Sequence, residues 1–285
     1  MVSGMVSCPR VVAQSVSAIH GLIQSPSRAG LFPIVLGFAT LAFLLFPGSI
    51  DQKTQSALHG LCAQRPSHSF WFGETRLPFD ARMTGIYGGF ATSFAFLVHR
   101  GRLWALAQPS WAVLGLLLSF VGLMAIDGTN SFLLDIGVWH LYSPHNNIRL
   151  ITGLLTGIAL AAIVCFLLSA TLWRRGRQDL AVVSDSREVG LLVALQVPFA
   201  LLISWGPGWL YAPVALSLVL AATTVVAALA LVMWTIATRQ DGRYARIGDL
   251  GGAATIALVL AIIVMGSIAG GRFWLEDLVG VPPLT

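Results

Sequence analysis

The sequence predicts an all-α, polytopic transmembrane helix bundle of about seven spans, on three observations. Of its 285 residues, 56% are hydrophobic and only 10% are charged, whereas a soluble domain carries roughly 25% charged residues. The long apolar runs approach the roughly 20 residues that a helix needs to cross a bilayer. These runs also lack the period-two alternation that is typical of membrane β-barrel strands.

Seven apolar runs account for the predicted spans, taken in order along the chain. The first ends at Pro47-Gly48, and the tight turn Gly206-Pro207-Gly208 joins the fifth to the sixth. The second and third are short, so a count of six or eight spans stays open. The runs cover approximately residues 31–46, 84–98, 111–126, 150–173, 189–205, 212–236 and 253–268.

Two further divisions of the chain follow from its polarity. Residues 1–28 are mixed polar and apolar, with apolar residues at helical spacing, so this N-terminal segment is either a short interfacial helix or a flexible tail. The transmembrane helical domain is predicted over residues 29–285. Within it, residues 51–83 and 127–148 are long polar loops.

The distribution of lysine and arginine predicts the orientation. Basic residues concentrate in the loops Arg174–Arg187 and Arg239–Arg246, which places these loops and the N-terminus in the cytoplasm by the positive-inside rule. The loops 51–83 and 127–148 then lie outside. Because residues 51–83 carry several basic side chains of their own, we expect those side chains to be structurally engaged. The net charge of +5 reflects this topology and not a nucleic-acid partner.

A group of charged residues is the candidate ligand-binding site. Arg82 begins the second span, Asp127 ends the third and Arg149 begins the fourth, so all three are predicted near the outer interface. Such a group could hold a phosphate, a carboxylate or a lipid headgroup, with Asn147 and Tyr87 as further candidates. The competing interpretation, a structural ion-pair lock, is favoured because arginines near helix ends are common anchors.

Metal-ligating residue types occur in the first long loop. His59, Cys62 and Asp80 are the metal candidates, since His59 and Cys62 are spaced to share a helix face. A closed zinc site needs four ligands, and no paired Cys-x-x-Cys spacing is present, so whether a metal binds stays open. No hydrolase elbow, P-loop, zinc-protease helix or dinucleotide fingerprint is found. The sequence therefore names no catalytic residue and requires no cofactor.

Small residues at close spacing predict tight helix packing. The pattern occurs twice, once near the start of the second span and once near the start of the fourth. It comprises Thr84-Gly85 with Gly88 and Gly89, and Thr152-Gly153 with Thr156 and Gly157.

The two long loops and the spans beside them carry a set of residues that forms two motifs. The set comprises Cys62, Gln64, Pro66, Ser69, Phe70, Leu77, Pro78, Ala81, Arg82, Thr84, Gly85, Ile86, Tyr87, Gly89, Asp127, Gly128, Asn146 or Asn147, Arg149, Thr152 and Gly153. It resembles a family of prokaryotic membrane proteins of unknown function. Members of that family carry a Cys-His-Gln…Pro-x-Arg-Ser-Phe…Leu-Pro-x-Cys-Ala-Arg-Cys-Thr-Gly-Ile-Tyr-x-Gly motif, then an Asp-Gly…Asn-x-x-Arg-x-x-Thr-Gly motif. The resemblance covers about Ala57 to Gly157, roughly a third of the chain.

Four departures from the family pattern bear on function. The family's histidine is Ala63 here, its arginine is His68, and its two later cysteines are Asp80 and Met83. If the family's Cys-His-Cys-Cys set binds metal or does redox work, this chain has lost most of it. The resemblance implies a protein of the prokaryotic inner membrane and offers no established activity.

Three functional hypotheses follow. The first is a non-enzymatic accessory or structural subunit of a larger membrane complex, of photosynthetic or respiratory type, with lipids and membrane proteins as partners. The second is a stand-alone protein that binds a lipid-phosphate or quinone-like ligand at the Arg82, Asp127 and Arg149 group. The third is a transporter or membrane enzyme, which the missing motifs and the absence of mid-span acids disfavour.

Overall fold

The computed structural model describes residues 30–280, so the segment 1–28 lies outside the described residues. The structure is 73% helical. Its α-helices over the described residues are α1 (Leu31–Leu45), α2 (Ile50–Leu58), α3 (Ala81–His99), α4 (Trp111–Asp135), α5 (Asn146–Leu172), α6 (Ser186–Trp205), α7 (Tyr211–Ala237) and α8 (Gly251–Val279).

Five of these helices, α4 to α8, are long and apolar enough to cross a membrane. Each of the seven predicted runs corresponds to one helix, but α1 and α3 are not among the five. The 15 residues of α1 span only about 22 Å, whereas the hydrocarbon core is about 30 Å thick. The described residues therefore contain five candidate membrane-spanning helices, and the count of seven stays a prediction.

The predicted all-α class is consistent with the mostly helical structure, but the prediction did not include two small sheets at the ends of the bundle. Strands β1 (Ser69–Phe72) and β2 (Thr75–Asp80) form an antiparallel hairpin, and β3 (Ala105–Ala107) pairs in parallel with β4 (Arg177–Ala181). These strands have three to six residues. Such short segments give little periodicity, and pairing between distant segments leaves no local signal.

The boundary predicted for the third span was also wrong. Helix α4 continues past residue 126 to Asp135, so Asp127 and Asn130 lie within a helix and not in a loop. Both side chains are buried and hydrogen-bonded by other segments, which lets a polar stretch remain helical.

Helices α3 and α5 pack closely through glycines, which confirms the prediction from small-residue spacing. A Cβ atom added at any of four positions would lie within 3.0 Å of the facing helix backbone. These positions are Gly85 and Gly89 on α3 and Gly153 and Gly157 on α5. Only a residue without a side chain allows the two backbones to approach this closely.

The connections gather at two ends of the bundle. We call one the hairpin end; it holds residues 46–80, 136–145 and 206–210. The backbone N–H of Gly73 donates to the carbonyl of Gly206 at 3.1 Å and so links the first of these segments to the third. The opposite, arginine-rich end holds residues 100–110, 173–185 and 238–250, and here Trp173 pairs with Tyr244. The two long polar loops of the sequence thus share one end, as predicted.

The basic side chains of the first long loop are all engaged, which also confirms the expectation from sequence. Two of them form ion pairs, and the other two donate to backbone carbonyl oxygens. The pairs are Lys53 with Leu44 O at 2.7 Å, Arg65 with Asp135 at 2.6 Å, Arg76 with Gln64 O at 2.8 Å, and Arg82 with Asp127 at 2.6 Å.

Candidate functional site

The polar centre of the hairpin end is built around the buried carboxylate of Asp127. Arg82, in the first turn of α3, donates from Nη2 to Asp127 Oδ2 at 2.6 Å, and the hydroxyl of Tyr142 donates to Oδ1 at 2.7 Å. Arg82 Nη2 also contacts Ser131 Oγ at 3.2 Å. Because both oxygens of Asp127 have partners, the group ties α3, α4 and the loop before α5 together. We call Arg82, Asp127 and Tyr142 the lock.

Tyr142 is the member of the lock that the sequence did not predict. Burial, and then the hydrogen bond to Asp127, raise the pKa of Tyr142 to about 12. The hydroxyl therefore stays protonated at neutral pH and acts as a donor to the carboxylate.

Asn130 holds the loop against α4. Its Oδ1 accepts from the backbone N–H of Leu141 at 2.6 Å, and its Nδ2 donates to the carbonyl of Tyr142 at 2.8 Å. The amide thus satisfies backbone groups of Leu141 and Tyr142 that pair with no sheet or helix backbone among the described residues. This bonding positions Tyr142 over Asp127.

Arg149 lies at the same end but outside the lock. It is 6% exposed, and its Nη1 donates to Asn146 Oδ1 at 2.9 Å. Asn146 in turn donates to the carbonyls of Ser67 and Ser69, both at 3.3 Å. Over residues 30–280, no carboxylate lies within ion-pair distance of Arg149.

The remaining two candidate residues are placed differently from their prediction. Asn147 is exposed, and its neighbour Asn146 makes the contact with Arg149. Tyr87 is buried and stacks on Phe79 with ring centroids 4.9 Å apart. Of the five predicted ligand-binding residues, the structure therefore joins Arg82 and Asp127 directly.

Of the three metal candidates, the structure brings Cys62 and Asp80 together. The Cys62 thiol donates to the Asp80 carboxylate, and the backbone N–H groups of Gln64 and Asp80 donate to Sγ at 3.4 Å. Burial, and then the charge of Asp80, raise the pKa of Cys62 to about 12. At neutral pH this residue is a protonated thiol, whereas nucleophilic attack and metal ligation need the thiolate.

His59 turns away from this pair toward the end of α8. Its ring nitrogens lie 2.9 Å from Gln64 Oε1 and 2.8 Å from Glu276 Oε2, and the ring stacks on Phe273 at 4.0 Å. Within residues 30–280, no three histidine, cysteine or acidic side chains are grouped to hold a metal ion. His59, Cys62 and Asp80 thus do not form a single ligand set.

Arg272 completes the anchoring of the first loop to α8. Its guanidinium pairs with Glu276 at 2.7 Å and donates to the carbonyls of His59 and Cys62. The spacing of Arg272 and Glu276, four residues apart on one helix, is a signal that could have identified the pair from sequence. Their contact with the distant loop has no such signal.

The arginine-rich end has its own buried ion pair. Arg102 Nη2 and Glu188 Oε1 are 2.6 Å apart, with side chains 7% and 8% exposed. Arg102 also donates to Ala181 O at 2.8 Å and Ser184 Oγ at 2.9 Å, while Glu188 accepts from the Ser184 N–H at 2.7 Å. The pair fixes the loop after α3 to the start of α6.

Fold and comparison together define the class of protein. The chain is a helical membrane protein with several helices able to span the bilayer. Residues 62–163, about a third of the chain, match the family described as "Predicted membrane protein (DUF2085)", whose function is unknown. The matched segment contains Cys62, Asp80 and the lock. No curated protein matches the chain, and no solved structure does.

Proposed function

We propose that this protein is a non-catalytic accessory or structural subunit of a larger assembly, of photosynthetic or respiratory type, in a prokaryotic inner membrane. The observation that carries the proposal is the exposure of α1. Among the described residues 30–280 this helix has no buried position, and Phe38, Leu45 and Ile34 are 74%, 72% and 68% exposed. Its main neighbour is α8.

A helix that is apolar on every side needs an apolar environment on every side. Lipid can supply it, but α1, at about 22 Å, is shorter than the hydrocarbon core. Oligomerisation is one response to such a mismatch. A partner helix packed on the open face of α1 accounts for both the exposure and the length.

Polar groups of several buried side chains form hydrogen bonds within the chain, which supports a structural role. Both oxygens of Asp127, both ring nitrogens of His59 and both oxygens of Glu188 have partners within the chain. Groups bonded in this way fix helix ends and loops and are not presented to a substrate. The lock interpretation of Arg82 and Asp127 is favoured for the same reason.

The charge distribution supports an orientation with the arginine-rich end in the cytoplasm. Over residues 30–280, and with the helix ends that adjoin each set of connections included, the arginine-rich end carries nine arginines and five acids, whereas the hairpin end carries six basic residues and seven acids. The side chains of Lys53, Arg65, Arg76 and Arg82 are moreover held by the fold. The positive-inside rule then places the hairpin end outside and the N-terminus inside.

Purification from the native membrane in mild detergent tests the subunit proposal, with mass spectrometry of co-migrating proteins. We expect stoichiometric partners with the wild type and their loss from Phe38→Ala/Leu41→Ala. A matched control, Leu118→Ala/Leu123→Ala on exposed positions of α4, should retain them. A wild-type protein that purifies alone, monodisperse and fully ordered, contradicts the proposal.

A second candidate function is binding of a lipid-phosphate or quinone-like ligand beside the lock. Two observations favour it: among residues 30–280, Arg149 is buried without a carboxylate partner, and Arg82 Nε is buried without a hydrogen-bond partner. Mass spectrometry of lipids and quinones extracted from the purified protein tests it. Arg149→Gln should lose one bound species that Arg65→Gln, at an exposed position of the same end, keeps. If Arg149→Gln retains every lipid and quinone that the wild type binds, this second function is contradicted.

A further inference from the structure

A cavity of about 210 Å³ opens at the arginine-rich end, on the opposite side of the bundle from the lock. It lies just beyond the end of α5 and beside the connection from α7 to α8. Its lining combines aromatic rings with two cationic side chains: Trp104, Trp173, Arg174, Arg175, Tyr244 and Ala245.

The walls of this cavity are fixed by contacts that need no ligand. The rings of Trp104 and Trp173 stack with centroids 4.9 Å apart, and the indole N–H of Trp173 donates to the carbonyl of Leu103. The Tyr244 hydroxyl donates to Gln240 Oε1 at 3.2 Å. A site whose side chains are already positioned loses less entropy when a ligand binds.

The backbone also holds the two sides of the cavity together. Trp173 forms a parallel bridge with Tyr244, and the N–H of Arg174 donates to the Tyr244 carbonyl at 2.9 Å. The segment that carries the arginines therefore has a defined position relative to the aromatic wall.

The cations of the cavity are not neutralised. Arg174 and Arg175 are exposed and take part in none of the side-chain ion pairs or hydrogen bonds formed within residues 30–280. Arg102 and Arg177, at the same end, each pair with an acid, at 2.6 Å and 2.8 Å. The two arginines of the cavity are left to bind an anion.

The depth of the cavity indicates where that anion comes from. The cavity begins where α5 ends at Leu172, and α7 ends nearby at Ala237, so it lies at the level of the lipid headgroups. Tryptophan and tyrosine prefer this level, and basic pockets between transmembrane helices bind anionic headgroups. Its volume is below the roughly 300–1,000 Å³ of sites for drug-sized ligands, which restricts the occupant to the size of a headgroup.

We propose that this cavity binds the phosphate group of an anionic molecule, supplied either by a lipid headgroup or by free phosphate. Arg174 and Arg175 donate to the phosphate oxygens, as guanidinium groups do in bidentate recognition. The indole rings of Trp104 and Trp173 shield the site from water on one side. If the molecule is a lipid, its acyl chains continue along the apolar outer surface of the bundle.

The test measures binding to the delipidated full-length chain by native mass spectrometry. The probes are phosphatidylglycerol, phosphatidylcholine and inorganic phosphate. We expect phosphatidylglycerol to bind more tightly than phosphatidylcholine and Arg174→Gln/Arg175→Gln to weaken it roughly tenfold to thirtyfold. Ala245→Phe keeps both charges but fills an exposed position of the cavity, so it should weaken binding as well.

The control is Arg177→Gln/Arg187→Gln, which removes the same charge at the same end from two exposed side chains outside the cavity. It should leave binding within about twofold. An equal loss of phosphatidylglycerol affinity in both double variants, or wild-type affinity in Ala245→Phe, would overturn the proposal in favour of a diffuse charge effect. Competition by millimolar inorganic phosphate supports free phosphate as the source. If inorganic phosphate does not compete while phosphatidylglycerol binds, a lipid is supported as the source. If neither phosphatidylglycerol nor inorganic phosphate binds, the proposal is overturned.

Discussion

Arg82 and Asp127 join the first turn of α3 to the last third of α4 through an ion pair of 2.6 Å, in which the Asp127 side chain is 1% exposed and that of Arg82 25% exposed. The pair lies one turn from Gly85, where α3 and α5 meet at close range. Arg82 therefore fixes the position of α3 against α4 at the same level at which glycines fix it against α5.

Removal of the Asp127 charge is expected to be among the most disruptive single changes at the hairpin end. Asp127→Asn keeps the shape but leaves the Arg82 guanidinium without its counterion, and breaking a buried pair in this way costs about 3 kcal/mol. Thermal unfolding in detergent measures the loss. The matched control is Asp135→Asn on the same helix, whose ion pair with Arg65 is 34% and 52% exposed and should contribute less than about 1 kcal/mol. Similar losses in both variants would contradict the role of burial.

The contribution of the Tyr142 hydroxyl to the free energy of unfolding is expected to decrease at alkaline pH. Tyr142→Phe removes a hydrogen bond to a charged oxygen, which lowers the free energy of unfolding by about 2 kcal/mol. Because the pKa of Tyr142 is raised from 10.0 to about 12 in the folded chain, this contribution is fully present below pH 10 and is lost as pH rises through about 12.

The measurement is the difference in unfolding free energy between wild type and Tyr142→Phe across that range. The difference should be constant up to about pH 10 and shrink above it. A difference that already shrinks between pH 4 and pH 8 would contradict the assignment of this pH dependence to the Tyr142 hydroxyl.

Local patterns account for the parts of this structure that could be predicted from sequence. A span needs a continuous apolar run, so seven of the eight described helices, all except α2, could be located. The glycines of α3 and α5 recur at helical spacing and thus indicated their close packing. Arg82 and Asp127 could be placed at one depth because each lies near the end of an apolar run.

Contacts between distant segments could not be predicted in the same way. Tyr142 reaches Asp127 across 15 residues through an irregular loop, and Arg102 meets Glu188 across 86 residues. Neither pair has a spacing that a helix or strand imposes. The sequence also gave no reason to prefer Asn146 over Asn147, because the choice depends on the exact start of α5.

The glycine contact between α3 and α5 is expected to tolerate no added methyl group. Gly157→Ala places a Cβ within 3.0 Å of backbone atoms of Ile86 and Phe90, so the helices must separate, which costs about 1–3 kcal/mol or more. Gly115→Ala on α4 meets no atom within 4 Å and should be neutral or stabilise by up to about 1 kcal/mol through helix propensity. Unfolding in detergent compares the two, and equal stability would contradict the packing argument.

The thiol of Cys62 is expected to react slowly with alkylating reagents. A pKa raised from 9.0 to about 12 reduces the thiolate population near pH 8 by about a thousandfold relative to an ordinary cysteine. Maleimide labelling of a Cys8→Ser/Cys165→Ser chain measures this. Asp80→Asn should accelerate labelling only in part, because burial, the larger cause, remains. Labelling at the rate of a free thiol would contradict the protonated Cys62 described above.

The proposed orientation can be tested with two single reporters, one at each end of the bundle. Ser67 at the hairpin end and Ser186 at the start of α6 are both exposed and make no side-chain hydrogen bond within the described residues. Only Cys8 needs replacement in the background, because Cys62 and Cys165 are buried. With a membrane-impermeant maleimide, Ser67→Cys should be labelled in intact cells and Ser186→Cys only after permeabilisation. The charge difference between the ends, nine arginines and five acids against six basic residues and seven acids, is the physical reason. The reverse labelling pattern would show that the basic side chains held at the hairpin end still direct insertion, and it would place the phosphate cavity on the outer face.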